Sequence, residues 1–320
     1  MMLAALITGL LAGRPAFVFD TPKGEMAAVL SSARGEKGDT GGDESQRVLP
    51  MLPELSSRSY LVQAVGDARP LAQRNILEPM RPASITKLMT AVLAREELDA
   101  ARLVEFSREA KSVGEKISSV PQGASVSRDD TMRLALVGSA NDAAAALAEA
   151  LGRHWGAATY EDAMTIFSQR VSKKAREIGM EHSLFRNPTG LDTDNHLTSA
   201  RDLFLLAGYI WKRHPALWAM TRHQEAVVSL QSSAHALPGS EDSSMSPVVI
   251  ASTNILLEEF PALLGGKTGW TDEAGETLIF LYPVRKSPVT LGIVVVIFLG
   301  SEDRFEDGRK IIGWLEEAYP

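Results

Sequence analysis

Pro82-Ala83-Ser84-Ile85-Thr86-Lys87-Leu88-Met89-Thr90-Ala91 is the stretch on which the fold of this chain turns. A proline followed by apolar residues at Leu88, Val92 and Leu93 predicts a helix from about residue 84 to 98. Positions i and i+3 share a helix face, so the Lys87 amine can reach the Ser84 hydroxyl. Ser84 would also lie at the positive end of the helix dipole, which favours a developing alkoxide. A serine cap followed by a solvated lysine has the same letters. What separates the two lies elsewhere in the chain.

Before this helix, residues 60–65 and 70–73 read as two short strands joined by a turn at Gly66-Asp67. After it the chain turns helical. Segments 129–137, 141–151 (stopped by Gly152), 159–178 and 198–212 (capped by Thr198) each fit one helix. In the third, Met164, Phe167, Val171 and Ala175 share a face, and Gly179 is its stop. Strand-forming residues then take over at 226–230, 248–251, 277–282 and 290–299. Ile293-Val294-Val295-Val296-Ile297-Phe298 is apolar throughout, as in a strand covered on both faces. A last helix is expected over 303–319, with Ile311, Ile312 and Trp314 docking on that sheet. Two strands, a helical block and a resumed sheet predict an α/β (α+β) fold with a helical lobe inserted and a cleft between them.

Composition limits the function. The 320 residues carry a net charge of −7, so nucleic acid is not an expected partner. Cysteine is absent, which excludes a thiol nucleophile, a disulfide and Cys-ligated zinc. His154, His182, His196, His214, His223 and His235 form no His-x-x-x-His pair, so neither a metal nor any other cofactor is expected. Residues 1–16 begin with an apolar run of signal-peptide length but lack a basic start, since the first cation is Arg14. They are read as a signal peptide or N-terminal anchor, residues 17–59 as a polar linker, and residues 60–320 as the catalytic domain. Export to the periplasm or cell envelope is expected mostly from the chemistry that the motifs below imply, with membrane association through the N-terminus only.

Two further motifs accompany Ser84 and Lys87. Ser139-Ala140-Asn141 falls between two predicted helices, where a second hydroxyl can relay a proton and a carboxamide can hold a substrate amide. Lys267-Thr268-Gly269 follows Gly265-Gly266 on a predicted strand, where Lys267 and Thr268 can bind a carboxylate and Gly269 allows close backbone approach. Ser252-Thr253-Asn254 repeats the second pattern and is taken as structural.

In this order and context, the motifs resemble those of the D-alanyl-D-alanine carboxypeptidase family of serine peptidases, the low-molecular-mass penicillin-binding proteins. The resemblance extends to Leu147-Ala148-Glu149, to Asn187-Pro188-Thr189-Gly190-Leu191-Asp192, to His196 with Thr198-Ser199-Ala200-Arg201-Asp202-Leu203, and to the segment 265–275. It covers about residues 60–320. It implies a β-lactamase/transpeptidase-like fold with an antiparallel sheet flanked by helices. It also implies Ser84 as acylated nucleophile, Lys87 as its base and Ser139 as proton relay to the departing D-alanine. Asn141, Lys267, Thr268 and Gly269 would bind substrate, and the backbone N–H groups of Ser84 and Trp270 would form an oxyanion hole. Arg304 matches a family arginine that contacts the carboxylate. Implied partners are peptidoglycan stem peptides, with β-lactams as covalent inhibitors.

Family members with a further β-rich domain carry a C-terminal amphipathic helix; this sequence ends after the catalytic stretch, so anchoring there is not expected. Trp270 is bulky where the family varies, which narrows the cleft. A D,D-endopeptidase cutting cross-links has the same motifs. A class A β-lactamase would need a Glu-x-x-x-Asn segment after Asn141, and none stands out. A non-catalytic wall-binding protein on this fold is the alternative from another class.

Overall fold

The computed structural model describes residues 50–231, 247–287 and 290–320. The expected leader and most of the expected linker lie outside them.

The described residues open with β1 (Ser59–Ala64) and β2 (Ala72–Arg74), an antiparallel pair turned by Gly66 at φ 95°. A 3-10 turn over Ala83–Thr86 then runs directly into α1 (Lys87–Glu97). Strands β3 (Leu103–Glu105) and β4 (Ser125–Ser127) precede α2 (Arg128–Leu136), α3 (Asn141–His154), α4 (Tyr160–Ile178) and α5 (Ala200–Arg213). Next come β5 (Glu225–Val228), β6 (Leu230–Gln231) and β7 (Val248–Ala251). The chain finishes with β8 (Gly265–Thr271), β9 (Gly275–Ser287), β10 (Thr290–Ser301) and α6 (Arg304–Ala318).

The main sheet is antiparallel, in the order β2-β1-β10-β9-β8. Its central strand β10 is buried on both faces, as the unbroken apolar run predicts. On one face Val62, Phe280, Val296 and Phe298 pack with Ile311, Ile312 and Leu315 of α6. Helix α5 covers β1 and β10. Edge strand β8 is left to face the helical lobe, and this puts Lys267, Thr268 and Gly269 along the cleft.

Several boundaries differ from expectation. The sheet resumes at Gly265, not at 226: β5 pairs with β7, and β6 joins β3 and β4. These strands are amphipathic, with Val227 and Val249 exposed, so they do not suit a doubly covered sheet. Gly152 does not stop α3 but lies inside it, where a Cβ would come within 2.4 Å of Ala163 on α4. The cap of α5 is Ser199, whose side chain accepts from the Asp202 N–H, while Thr198 pairs its backbone with Met80. Residues 50–59, expected as the end of the linker, belong to the folded unit. Leu55 and Ser57 are buried, and the Asp307 carboxylate accepts from the backbone and hydroxyls of Ser56 and Ser57.

Candidate active site

Ser84 sits in the 3-10 turn and Lys87 begins α1. A 3-10 turn eclipses residues three apart, and Lys87 Nζ lies 2.7 Å from Ser84 Oγ. Lys87 is completely buried. Its Nζ is also 2.8 Å from Asn141 Oδ1 and 2.8 Å from the Thr189 carbonyl. Both of those atoms only accept, so a neutral amine spends its two N–H bonds on them and turns its lone pair to the Ser84 hydroxyl. Neutrality is favoured: burial first, then the Lys116 charge, hold the Lys87 ammonium well below the usual lysine range.

Ser139 lies in the tight connection between α2 and α3 at φ 59°, a left-handed backbone that costs a non-glycine residue about 1 kcal/mol or more. The conformation aims its Oγ at Lys267 Nζ, 2.8 Å away. Asn141 opens α3. Its Nδ2 donates to the Glu115 carbonyl at 2.6 Å, which fixes the amide so that Oδ1 faces Lys87.

On β8, Lys267 is buried and donates to Ser139 Oγ and the Thr268 carbonyl. Burial, then the charges of Lys87, Lys116 and Arg304, push its pKa down as well. Thr268 Oγ1 is 2.6 Å from Thr253 Oγ1. Gly269 packs tightly, since a Cβ there would fall 2.7 Å from the Ser84 nitrogen and 2.9 Å from Ala83 Cβ. Only glycine lets the strand press against the nucleophile turn. Trp270, one residue on, is half exposed at the cleft edge. Arg304 begins α6 and donates from Nη1 to the Gly269 carbonyl at 2.8 Å, so it reaches the β8 end of the cleft.

The segment 187–198 supports Lys87 from behind. Asn187 Oδ1 accepts from the backbone N–H groups of Thr189 and Gly190. That turn aims the Thr189 carbonyl at Lys87. Gly190, at φ 88°, leaves no room for a side chain, because a Cβ would fall 1.8 Å from the Ala83 carbonyl. His196 is buried, with Nδ1 accepting from the Arg186 N–H and Nε2 2.8 Å from Thr86 Oγ1. That pair of contacts makes Nε2 the protonated nitrogen, and burial pushes the ring's pKa down to about 4.

The structure thus brings Ser84, Lys87, Ser139, Asn141, Lys267, Thr268, Gly269 and Arg304 around one cleft. Sequence reasoning missed three groups there. Thr253 was dismissed with its motif, yet its hydroxyl meets Thr268. Thr189 acts through its carbonyl, which no side-chain pattern reports. Lys116 is an exposed cation in a loop whose letters carry no signature. Among the described residues, no group of His, Asp and Glu is placed to hold a metal ion.

Comparison with known proteins points to one family. A family model described as D-alanyl-D-alanine carboxypeptidase matches residues 46–296. A Pseudomonas aeruginosa protein named D-alanyl-D-alanine endopeptidase is 31% identical over 282 residues, covering 84% of this chain and 80% of its own. An Escherichia coli protein of the same name is 30% identical over 270 residues, 82% of this chain and 78% of its own. The Bacillus subtilis D-alanyl-D-alanine carboxypeptidase DacF is 28% identical, over 72% of this chain and 54% of its own. Among solved structures, a Streptomyces DD-transpeptidase superposes with a TM-score of 0.73 over 83% of this chain and 98% of its own, at 19% identity, which speaks for the fold alone. With the family model spanning most of the sequence, this chain belongs to the D-alanyl-D-alanine carboxypeptidase family of serine peptidases.

Proposed function

We propose that this enzyme removes the terminal D-alanine of peptidoglycan stem peptides through an acyl-enzyme on Ser84. One observation carries the assignment: Lys87 Nζ has two carbonyl-type acceptors and the Ser84 hydroxyl around it, and no other hydrogen-bond partner among the described residues. In that setting Lys87 takes the Ser84 proton as Oγ attacks the carbonyl carbon. The resulting oxyanion is held by the N–H groups of Ser84 and Trp270. Ser139, in contact with Lys267, passes a proton to the departing amine, which leaves as the C–N bond breaks. Water then cleaves the ester and regenerates Ser84. Lys267, Thr268 and Arg304 hold the terminal carboxylate, and Asn141 holds the substrate peptide. β-Lactams acylate the same serine.

A second reading, cleavage of cross-links by the same chemistry, is favoured by the endopeptidase names of two relatives. Both place the enzyme outside the cytoplasm, where its polymer is. No helix among the described residues is long and apolar enough to cross a membrane. We assign the catalytic domain to residues 50–320, since residues 50–59 pack on it.

The test is mass spectrometry after incubation with penicillin. A single adduct on Ser84, lost in Ser84→Ala, is expected, together with D-alanine release from a pentapeptide. An adduct that persists in Ser84→Ala overturns the assignment. Binding of muropeptides with no D-alanine released would instead support the non-catalytic alternative.

A further inference from the structure

Arg304 Nη1 donates to the Gly269 carbonyl at 2.8 Å. That carbonyl shares one peptide unit with the Trp270 N–H. No peptide bond among the described residues is cis, and in a planar trans unit the C=O and the N–H point in opposite directions. The Trp270 N–H is therefore aimed away from Arg304. At this point β8 presses on the nucleophile turn, since a Cβ on Gly269 would fall 2.7 Å from the Ser84 nitrogen. So the two N–H groups assigned to the oxyanion stand on touching segments, and one of them has a guanidinium at the far end of its peptide.

The guanidinium is held in place from several sides. Arg304 is the first residue of α6, and its own N–H donates to Glu276 Oε2 at 2.9 Å. Glu276 is the cross-strand partner of Trp270, so the helix start is pinned beside the peptide that it contacts. The Arg304 side chain is only 14% exposed, and its guanidinium lies 4.7 Å from the Phe305 ring centroid. Its Nε is buried with no hydrogen-bond partner among the described residues. Leaving a buried donor unpaired is costly, and a contact with a substrate carboxylate at the cleft does not require it. The burial serves Nη1, because a charge-assisted bond to a carbonyl is strong where the local dielectric is low. Glu276 Oε1, 3.7 Å from Nη1, opposes the charge without taking the hydrogen bond. Drawing electron density toward the Gly269 oxygen makes the Trp270 N–H a stronger donor, since bonds chained through one amide polarise one another.

We propose that Arg304 is a positioning residue for the oxyanion hole. Beside its contact with a substrate carboxylate, it fixes and polarises the Gly269–Trp270 peptide, so that the Trp270 N–H meets the developing charge as a stronger donor. The inference rests on the D,D-peptidase assignment and gives this arginine a second way of acting in it. Losing an oxyanion donor outright costs about 100- to 1000-fold in rate, and a neighbouring bond in a chain contributes about 10–30% of a bond's strength. Removing Arg304 should therefore slow acylation roughly twofold to eightfold even when the acylating compound has no carboxylate.

The experiment uses the full chain and two monocyclic β-lactams that differ only in a carboxylate, each isotope-labelled at the ring carbonyl and supplied at concentrations that label the unaltered enzyme. Mass spectrometry times acylation of Ser84, and difference infrared spectroscopy reads the carbonyl of the acyl-enzyme. In Arg304→Gln the carboxylate-free compound is expected to acylate roughly twofold to eightfold more slowly. Its carbonyl stretch should rise in wavenumber, because the hole grips that oxygen less strongly. An unmoved stretch with this compound overturns the proposal, whatever the rate does, and leaves Arg304 as a carboxylate contact alone. Glu276→Gln gives an independent reading should Arg304→Gln not fold. There Arg304 stays, the opposing charge is gone, and the stretch should fall; an unmoved stretch overturns the proposal as well. The unaltered enzyme separates the two levels. Labelling on Ser84 without these shifts keeps the D,D-peptidase assignment and removes the second role of Arg304. A protein that neither compound nor penicillin labels loses both.

Discussion

Replacing Gly269 by alanine tests whether strand β8 and the nucleophile turn form one rigid unit. The added Cβ would meet Thr277 Oγ1 at 2.4 Å, the Ser84 nitrogen at 2.7 Å and Ala83 Cβ at 2.9 Å. Ordinary contact begins near 3.4 Å, so the turn carrying Ser84 must retreat by about 0.7 Å. Thr277 cannot give way freely, because its hydroxyl donates to the Pro82 carbonyl at the head of that same turn. A displacement near 1 Å at reacting atoms costs on the order of 100-fold in rate, or about 2.7 kcal/mol of barrier. Overpacking of this kind costs roughly 1–3 kcal/mol of stability, which lowers Tm by about 2–12 °C for a domain of this size. The assay is the time course of acylation by a fluorescent penicillin, with a thermal melt on the same preparation. Gly208→Ala is the control, since nothing lies within 4 Å of a Cβ there and helix α5 gains from alanine. The expected result is a folded Gly269→Ala protein acylating about 100-fold more slowly. A folded Gly269→Ala protein that acylates at the rate of the Gly208→Ala control would refute the proposed contact.

Two further outcomes concern protons. Because Lys87 must be neutral to accept the Ser84 proton, acylation should rise with pH through an ionisation well below the usual lysine range. Lys116→Gln removes a cation that depresses Lys87, so the inflection should move to higher pH; an unmoved inflection would contradict the electrostatic account. His196 has the opposite consequence for stability. Its pKa is about 4 when folded and near 6.5 when unfolded, so the unfolded chain binds the extra proton between those values. Stability is full above about pH 6.5 and falls by roughly 3 kcal/mol as pH drops to 4. Urea denaturation across that range should show the loss, and His196→Asn should flatten it.

How much was legible depended on whether the deciding contact is local. Helix α4 starts and stops where the sequence predicts, because its Thr159–Asp162 capping box and its left-handed Gly179 are each satisfied within a few residues. The run 293–298 is apolar throughout because β10 is central, which needs no knowledge of its neighbours. Thr198 and Ser199 are chemically equivalent caps, and the choice between them is made 118 residues upstream, where Met80 pairs with the Thr198 backbone. Gly152 reads as a helix stop until α4 is laid against it. Residues 50–59 lack a long apolar run, but Asp307 holds them through Ser56 and Ser57 from about 250 residues away. At the site, side-chain chemistry follows motifs, so the meeting of Ser84, Lys87, Ser139, Asn141 and Lys267 was legible. The Thr189 carbonyl was not, since any residue carries one and only the Asn187 turn aims it.

The two buried lysines look alike in sequence and differ in what surrounds them. Lys87 has two acceptor-only oxygens and one hydroxyl within 2.8 Å, a set that leaves a single direction for a lone pair, toward Ser84. Lys267 has one carbonyl and the Ser139 hydroxyl, so it keeps a further N–H for an arriving anion. Burial depresses both, the Lys87 charge depresses Lys267 further, and two ammonium groups in one dry site are unfavourable. A substrate carboxylate changes the balance on one side only. Bound at Thr268, as proposed above, it would favour a proton on Lys267, and that proton would in turn disfavour one on Lys87, favouring the neutral amine that attack by Ser84 requires. A peptide lacking the terminal carboxylate brings no such charge. In the proposed mechanism, selectivity for a free carboxylate beside the scissile bond would therefore be expressed in the protonation of Lys87 as well as in binding.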